Sequence, residues 1–241
     1  MEQDRWLDLV IEMQSLAQAG LTYGKDVYDR ERYLRIREIA AELLAGGTAL
    51  PVETVTGLFC NETGYQTPKL DTRAAIFQDD RILLVRENSG EWALPGGWCD
   101  VNASVGENTV REVREEAGLT AVPERIIAVL DRTRHNPPRY AYGVCKIFVQ
   151  CAAAGGQFEK NSETTASGYF AEDALPPLCR AKNTEEQIRM CFAARRDAQW
   201  KPLPSEAKFD VDGILRIDGD SPVPAGCYRA RSGEQLIVAQ H

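Results

Sequence analysis

The stretch "GGWCDVNASVGENTVREVREEAGL", residues 96–119, constrains the fold more than any other part of the chain. Ser104 and Glu107 form S-x-x-E, a capping box that opens a helix. Val105, Val110, Val113 and Ala117 supply its apolar stripe, and Gly118 closes it as a C′ residue. Glu112, Glu115 and Glu116 then stand at i, i+3 and i+4, on one face. Like charges at that spacing destabilise an isolated helix by roughly 0.2–0.5 kcal/mol per pair. Two arrangements can offset the cost. One is a solvated face, aided by Arg111 and Arg114. The other is a hard divalent cation, since Mg²⁺ takes oxygen ligands and usually bridges one or two carboxylates to substrate phosphates. Gly96 and Gly97 in "LPGG" favour the cation, because paired glycines let the backbone approach a metal or phosphate closely.

The flanking segments change period. "TRAAIFQ" and "RILLVRE" around Asp79-Asp80 read as a hairpin, and "EWALPGG" follows. After the acidic helix come the strand-like "RIIAVLDRTR", "YAYGVCKIFVQCAA" and "ASGYFAEDAL". "TEEQIRMCFAAR" reads as a helix with Thr184 as N-cap and Gln187 completing a capping box. Strands and helices mix without regular βαβ alternation, which favours a mixed α/β sandwich over a doubly wound sheet.

The N-terminal region is different. Trp6, Leu9, Met13, Leu16 and Ala17 share a helical face that Gly20 should stop. A second helix carries Tyr33, Ile36, Ile39, Ala40, Leu43 and Leu44, with Asp29 as its N-cap and Gly46-Gly47 as its end. This pair is too small to hold a core alone, so it should pack on a larger body or on a second copy of itself. Residues 51–69 read as a linker with a short strand near Val55–Cys60. Residues 211–241, with "GILRID", "GCYRARS" and "QLIVAQ", read as a small β appendage of unknown role. The organisation expected is therefore a helical domain at 1–50, a linker at 51–69, a mixed α/β domain at 70–210 and an extension at 211–241.

Bulk properties exclude several classes. The net charge of −8 disfavours nucleic acid, whose phosphates are held by Lys and Arg, although a bound cation can reverse the local sign for a small phosphorylated ligand. Seven cysteines without a CxxC, and no signal peptide at "MEQDRWLDLV", read as free, mostly buried thiols in a reducing cytoplasm. No apolar run is long enough to span a bilayer. With only two histidines, His135 and His241, a His-based zinc site or a catalytic triad has little to work with.

Gly97, Arg111, Glu112, Val113, Glu115, Glu116, Gly118 and Leu119 resemble the Nudix box, G-x5-E-x7-R-E-U-x-E-E-x-G-U, with U a bulky aliphatic residue. Eight of its nine defined positions match. The ninth, the first Glu, is Ala103 here, with Asp100 and Glu107 as neighbouring carboxylates. "MQSLAQAGLTYGKDVYDRERYLRIREIAAELL", "CKIFVQC", "GGQFEKNSETTASGYFAEDALPPL" and "NTEEQIRM" are similar to one Nudix subgroup. It comprises hydrolases of X-linked nucleoside diphosphates with a helical N-terminal domain, including bacterial CDP-choline pyrophosphatases. The likeness runs from about residue 5 to Asp210.

The resemblance implies an α+β fold: a Nudix α/β/α sandwich, a small N-terminal helical domain and a short C-terminal β-like extension. It implies Mg²⁺, with Mn²⁺ as a substitute, on Glu112, Glu115 and Glu116, and Arg111 orienting the glutamates. It implies hydrolysis of a nucleoside diphosphate linked to X into NMP and phospho-X, with CDP-choline-like substrates first and ADP-ribose second. A box glutamate or Glu163, in "NSETTAS", would be the general base. Arg73, which precedes the first sheet strand, would contact a phosphate, and with Gly96, Gly97 and Trp98 it would line the substrate site. A homodimer through the helical pair is expected, with no membrane partner. The alternative reading is a catalytically weakened Nudix domain that senses a nucleotide or binds a partner, as Ala103 suggests. A third, action on RNA ends, is disfavoured by the acidic charge.

Overall fold

Residues 2–48, 50–60, 62–202, 207–209 and 215–217 are described by a computed structural model. The chain divides into two compact units, Met1–Pro68 with Tyr140–Gly143, and Lys69–Arg139 with Val144–His241.

The first unit holds α1 (Glu2–Tyr23), α2 (Val27–Gly46) and α3 (Val52–Phe59). The α1 helix runs past Gly20. A side chain there would strike the Tyr33 ring, a Cβ lying 2.6 Å from it, so the glycine serves close approach of α2 rather than termination. The N-cap of α2 is Asp26, not Asp29: its carboxylate accepts from the N–H groups of Tyr28 and Asp29. The segment expected to hold a short strand near Val55–Cys60 is instead the helix α3. Val55 and Phe59, one turn apart, bury together against Val10, Ala40, Ala41 and Leu44, and that burial outweighs the β-preference of the Val and Thr residues around them. The inner face of α1 is Val10, Gln14, Ala17 and Gln18; Leu9 and Leu16, expected on it, are exposed, as are Ile36 and Leu43 on α2.

The second unit is built on β1 (Lys69–Gln78), β2 (Arg81–Glu87), β3 (Trp92–Ala93), α4 (Val105–Ala117), β4 (Leu119–Asp131), α5 (Arg132–His135), β5 (Val144–Gly156), β6 (Thr164–Ala171) and α6 (Glu185–Arg196). The sheet order is β3-β2-β1-β5-β4, with β6 paired to β2. Only β1 and β5 pair in parallel, and the remaining neighbours are antiparallel. The expected hairpin closes with Gln78 opposite Arg81, and Asp79 takes φ +52°, a conformation Asp tolerates better than most side chains.

Alternation along the strands makes two cores. Ala74, Ile76, Leu83 and Val85 face Val113 and Ala117 of α4, while Ala75, Ile82 and Leu84 face the side of Ile188, Met190 and Phe192 of α6. The sheet is thus the middle layer of an α/β/α sandwich, each fully buried Ile or Leu contributing about 1.5–3 kcal/mol. Strands β7 (Ala207–Phe209) and β8 (Leu215–Ile217) pair antiparallel, one on each side of the boundary expected at residue 211. "GCYRARS" and "QLIVAQ" lie outside the described residues. The six described cysteines are free thiols, three buried and three half-buried.

Candidate active site

The acidic helix forms as its local sequence dictates. Ser104 and Glu107 cap each other reciprocally, and Gly118 ends α4 at φ +67°. The Ser104 N–H holds the Glu107 carboxylate below the usual range, so Glu107 is committed to the cap.

The preceding loop is laid along β1. Thr72 N–H donates to Gly97 O at 2.9 Å, Ala74 N–H to Pro95 O at 2.8 Å, and Cys99 N–H to Leu70 O at 2.9 Å. At Gly96, φ is +146° and a Cβ would sit 1.9 Å from Thr72 O. At Gly97 a Cβ would lie 2.9 Å from Glu112 Oε2. Gly96 is therefore required by its approach to backbone, whereas Gly97 abuts only the end of the Glu112 side chain, and together they put backbone against the carboxylates of α4. Gly96 N–H donates to Glu116 Oε2 at 2.8 Å.

The three glutamates do not share one environment. Glu112 is 9% and Glu116 3% exposed, whereas Glu115 is exposed. Burial pushes Glu116 up to about 7, against the opposing pull of the Gly96 N–H, Arg73 and Lys182. Burial also raises Glu112, opposed by Arg111. Arg111 forks between Glu112 Oε1 at 3.0 Å, Asn108 Oδ1 at 2.6 Å and the Asp100 carboxylate. Asn108 in turn donates to Thr72 Oγ1 at 2.8 Å, tying the helix to β1.

Glu163 is exposed, in a turn docked on the end of α4. Asn161 Nδ2 donates to Glu115 O at 2.8 Å and Thr164 Oγ1 to Glu116 O at 2.7 Å. Trp98 is half-exposed beside the loop glycines, its backbone bridged to Asp71. Arg73 departs from expectation. It lies within β1, 3% exposed, with its guanidinium on both oxygens of Asp71 at 2.7 and 2.8 Å and on Leu94 O at 3.3 Å. It is too buried and too engaged for the direct phosphate contact expected of it. It braces the loop from beneath.

Two residues near the glutamates escaped the sequence reading. Glu87 ends β2, and Lys182 precedes α6. Lys182 Nζ lies 2.6 Å from Glu87 Oε1 and 3.9 Å from Glu116 Oε1. Topology joins them, and nothing in their local sequence signals it.

These donors fit a hard divalent cation that keeps several waters and takes one or two protein carboxylates. Among the described residues no three His, Cys, Asp or Glu side chains converge on one point. Each acidic group is engaged separately: Glu112 by Arg111, Glu116 by Gly96 and Lys182, with Glu115 facing outward. The site suits an ion shared with a phosphorylated ligand better than an all-protein cage.

With the capped acidic helix, the glycine loop and the sandwich in place, the class is defined: the chain belongs to the Nudix hydrolase family. Residues 67–191 match the NUDIX domain, and residues 4–59 match the family described as "UDP-X-like, N-terminal oligomerisation domain". The chain is 44% identical over 202 residues to a putative ADP-ribose pyrophosphatase, YjhB, of Bacillus subtilis, covering 83% of this chain and 97% of that protein. An ADP-ribose pyrophosphatase structure from Streptococcus suis is 54% identical, with TM-score 0.54, covering 57% of this chain and 99% of that one. A UDP-X diphosphatase structure is 34% identical, with TM-score 0.55, covering 83% of this chain and 98% of that one. No described helix is long and apolar enough to cross a membrane.

Proposed function

We propose that this chain is a Mg²⁺-dependent pyrophosphohydrolase of a nucleoside diphosphate linked to X, releasing NMP and phospho-X. ADP-ribose is its first substrate. The observation that carries the reading is the pair of buried carboxylates, Glu112 and Glu116, set against the backbone of Gly97 and Gly96. Glu112, Glu115 and Glu116 would hold the ion, Mn²⁺ serving as a substitute. When bound, Mg²⁺ supplies charge neutralisation for the diphosphate and acidifies a water. Arg111 fixes Glu112, and the Gly96 N–H fixes Glu116, so both carboxylates are aimed before ligand arrives. Glu163, on its pinned turn, takes the proton of the attacking water. Gly96, Gly97 and Trp98 line the substrate side. The names of the relatives at 44% and 54% identity support ADP-ribose ahead of CDP-choline, which the subgroup resemblance puts first. CDP-choline and a UDP-sugar stay in the test.

The reading includes a homodimer through the helical unit. Leu9, Leu16 and Tyr23, seven residues apart on α1, are exposed, and the N-terminal match is described as an oligomerisation domain. Leu16→Lys should shift a dimer to monomer in light scattering, and a monomeric wild type would sink this part.

Phosphate release with phosphatase coupling from ADP-ribose, CDP-choline, UDP-glucose, NADH and capped RNA, with Mg²⁺ or with chelator, tests the activity. Chelator-sensitive turnover of ADP-ribose, abolished by Glu116→Gln, is expected. Ala103 favours the second reading, a nucleotide sensor. Binding across the panel without turnover would establish that one instead.

A further inference from the structure

Lys182 is delivered to the acidic centre by a fixed turn. Its own N–H and that of Asn183 both donate to Cys179 O, at 2.8 and 2.9 Å. Asn183 is fully buried and accepts from Leu94 N–H at 2.7 Å, and Thr184 caps α6. The side chain of Lys182 is one-third exposed. It meets two carboxylates unequally, Glu87 Oε1 at 2.6 Å and Glu116 Oε1 at 3.9 Å. The other oxygen of Glu116 already accepts from Gly96 at 2.8 Å. Glu116 Oε1 therefore has an ammonium close enough to neutralise it and too far to hydrogen-bond it. A divalent cation taking that oxygen would meet the same ammonium. Glu87 offers the lysine a place to stay.

We propose that Lys182 is a built-in competitor of the divalent cation at Glu116, and that Glu87 sets the metal affinity by holding the ammonium aside. In the metal-free protein Lys182 neutralises the buried carboxylate. When the cation binds, Lys182 rests on Glu87 alone. This rests on the reading of Glu116 as a metal ligand.

The test is Mn²⁺ titration of the metal-stripped full-length chain, free Mn²⁺ being read by electron paramagnetic resonance without nucleotide. Removing the ammonium that lies 3.9 Å from Glu116 Oε1 should tighten binding about tenfold in Lys182→Met. Lys182→Gln, kept as a second variant should the first fold poorly, shifts it the same way. Glu87→Gln releases the ammonium onto Glu116 and weakens binding about tenfold. In the Lys182→Met background that loss shrinks to less than about threefold, because Glu87 acts through the lysine. Unchanged or weaker binding in both lysine variants overturns the proposal. So does a Glu87→Gln loss that is undiminished in the double variant, which would make Glu87 a ligand itself. If Glu116→Gln binds Mn²⁺ as wild type does, the metal assignment itself falls, and the proposal with it.

Discussion

The main-chain N–H of Gly96 donates to a carboxylate oxygen of Glu116 at 2.8 Å, across 20 residues of sequence. The bond joins the glycine loop to the acidic helix. It partly offsets the burial of Glu116 and fixes which way that side chain points. The loop can come that close only because Gly96 has no Cβ to meet Thr72 O.

Gly96→Ala and Gly97→Ala should therefore fail differently. At Gly96 the clash is with backbone and φ is +146°, so neither partner yields. A loss of about 3 kcal/mol or more is expected, read as a lower urea midpoint. At Gly97 the added methyl meets the end of the Glu112 side chain at 2.9 Å, which can move. That variant keeps its stability but displaces Glu112, and kcat falls about tenfold or more. Equal stability losses in the two variants would contradict this account.

Glu163 sits in a turn held by Asn161, whose Oδ1 accepts the N–H groups of Glu163 at 2.9 Å and Thr164 at 2.8 Å. Its carboxylate carries no structural bond of its own among the hydrogen bonds of that turn. Glu163→Gln is expected to leave the melting temperature unchanged and lower kcat by about 10²–10⁴ if Glu163 is the general base. Wild-type kcat in that variant would send the search for the base back to the glutamates of α4.

What the sequence made legible was local. Ser104, Glu107 and Gly118 bound α4, and Thr184 and Gln187 start α6, because caps are written within a few residues of the backbone they satisfy. The glycine pair announced a close approach for the same reason. Lys182 and Glu87 lie 95 residues apart, and only the sheet order and the turn before α6 bring them together. Arg73 differs from its expected exposure because an arginine ahead of a strand ordinarily faces solvent, whereas here it lies within β1. Its partner Asp71, two residues away on the same strand face, was the available signal. The α3 helix was hidden because Val52, Thr54, Val55 and Thr56 favour strands, and burial of Val55 with Phe59 is a tertiary effect. On α1 the hydrophobic spacing pointed to the wrong face, because the inner row buries Gln14 and Gln18, whose side-chain amides donate to Phe59 O and Gly64 O, while Leu9 and Leu16 are exposed.

Arg73→Met separates bracing from ligand binding. Breaking a buried ion pair by removing one partner costs about 3–5 kcal/mol, and Lys146 near Asp71 should keep the loss toward the lower end. The urea midpoint should drop, with loss of activity following from loosening of the Leu94–Trp98 segment. A variant of wild-type stability with a raised KM would restore the phosphate contact that burial argues against.

Lys146 gives the pH dependence its sign. It is 1% exposed, with its ammonium 3.3 Å from Asp71 Oδ2, but Arg73 already binds both oxygens of Asp71. Burial first, and then the charge of Arg73, lowers Lys146 from 10.5 to about 7. Asp71 remains below the usual carboxylate range because the paired cations outweigh its burial. Between pH 7 and 10 the unfolded chain thus binds more protons at this position than the folded one, so the cost of burying Lys146 is full below pH 7 and is relieved as pH rises. Lys146→Met removes that dependence. The stability of wild type relative to the variant should rise by about 2 kcal/mol between pH 7 and pH 9, measured by urea unfolding at each pH. Lysines and tyrosines elsewhere titrate in both proteins and cancel in the difference. A flat difference would mean that Lys146 stays charged, with Asp71 shared evenly between two cations, and the bracing pair beneath the loop would then be a triad.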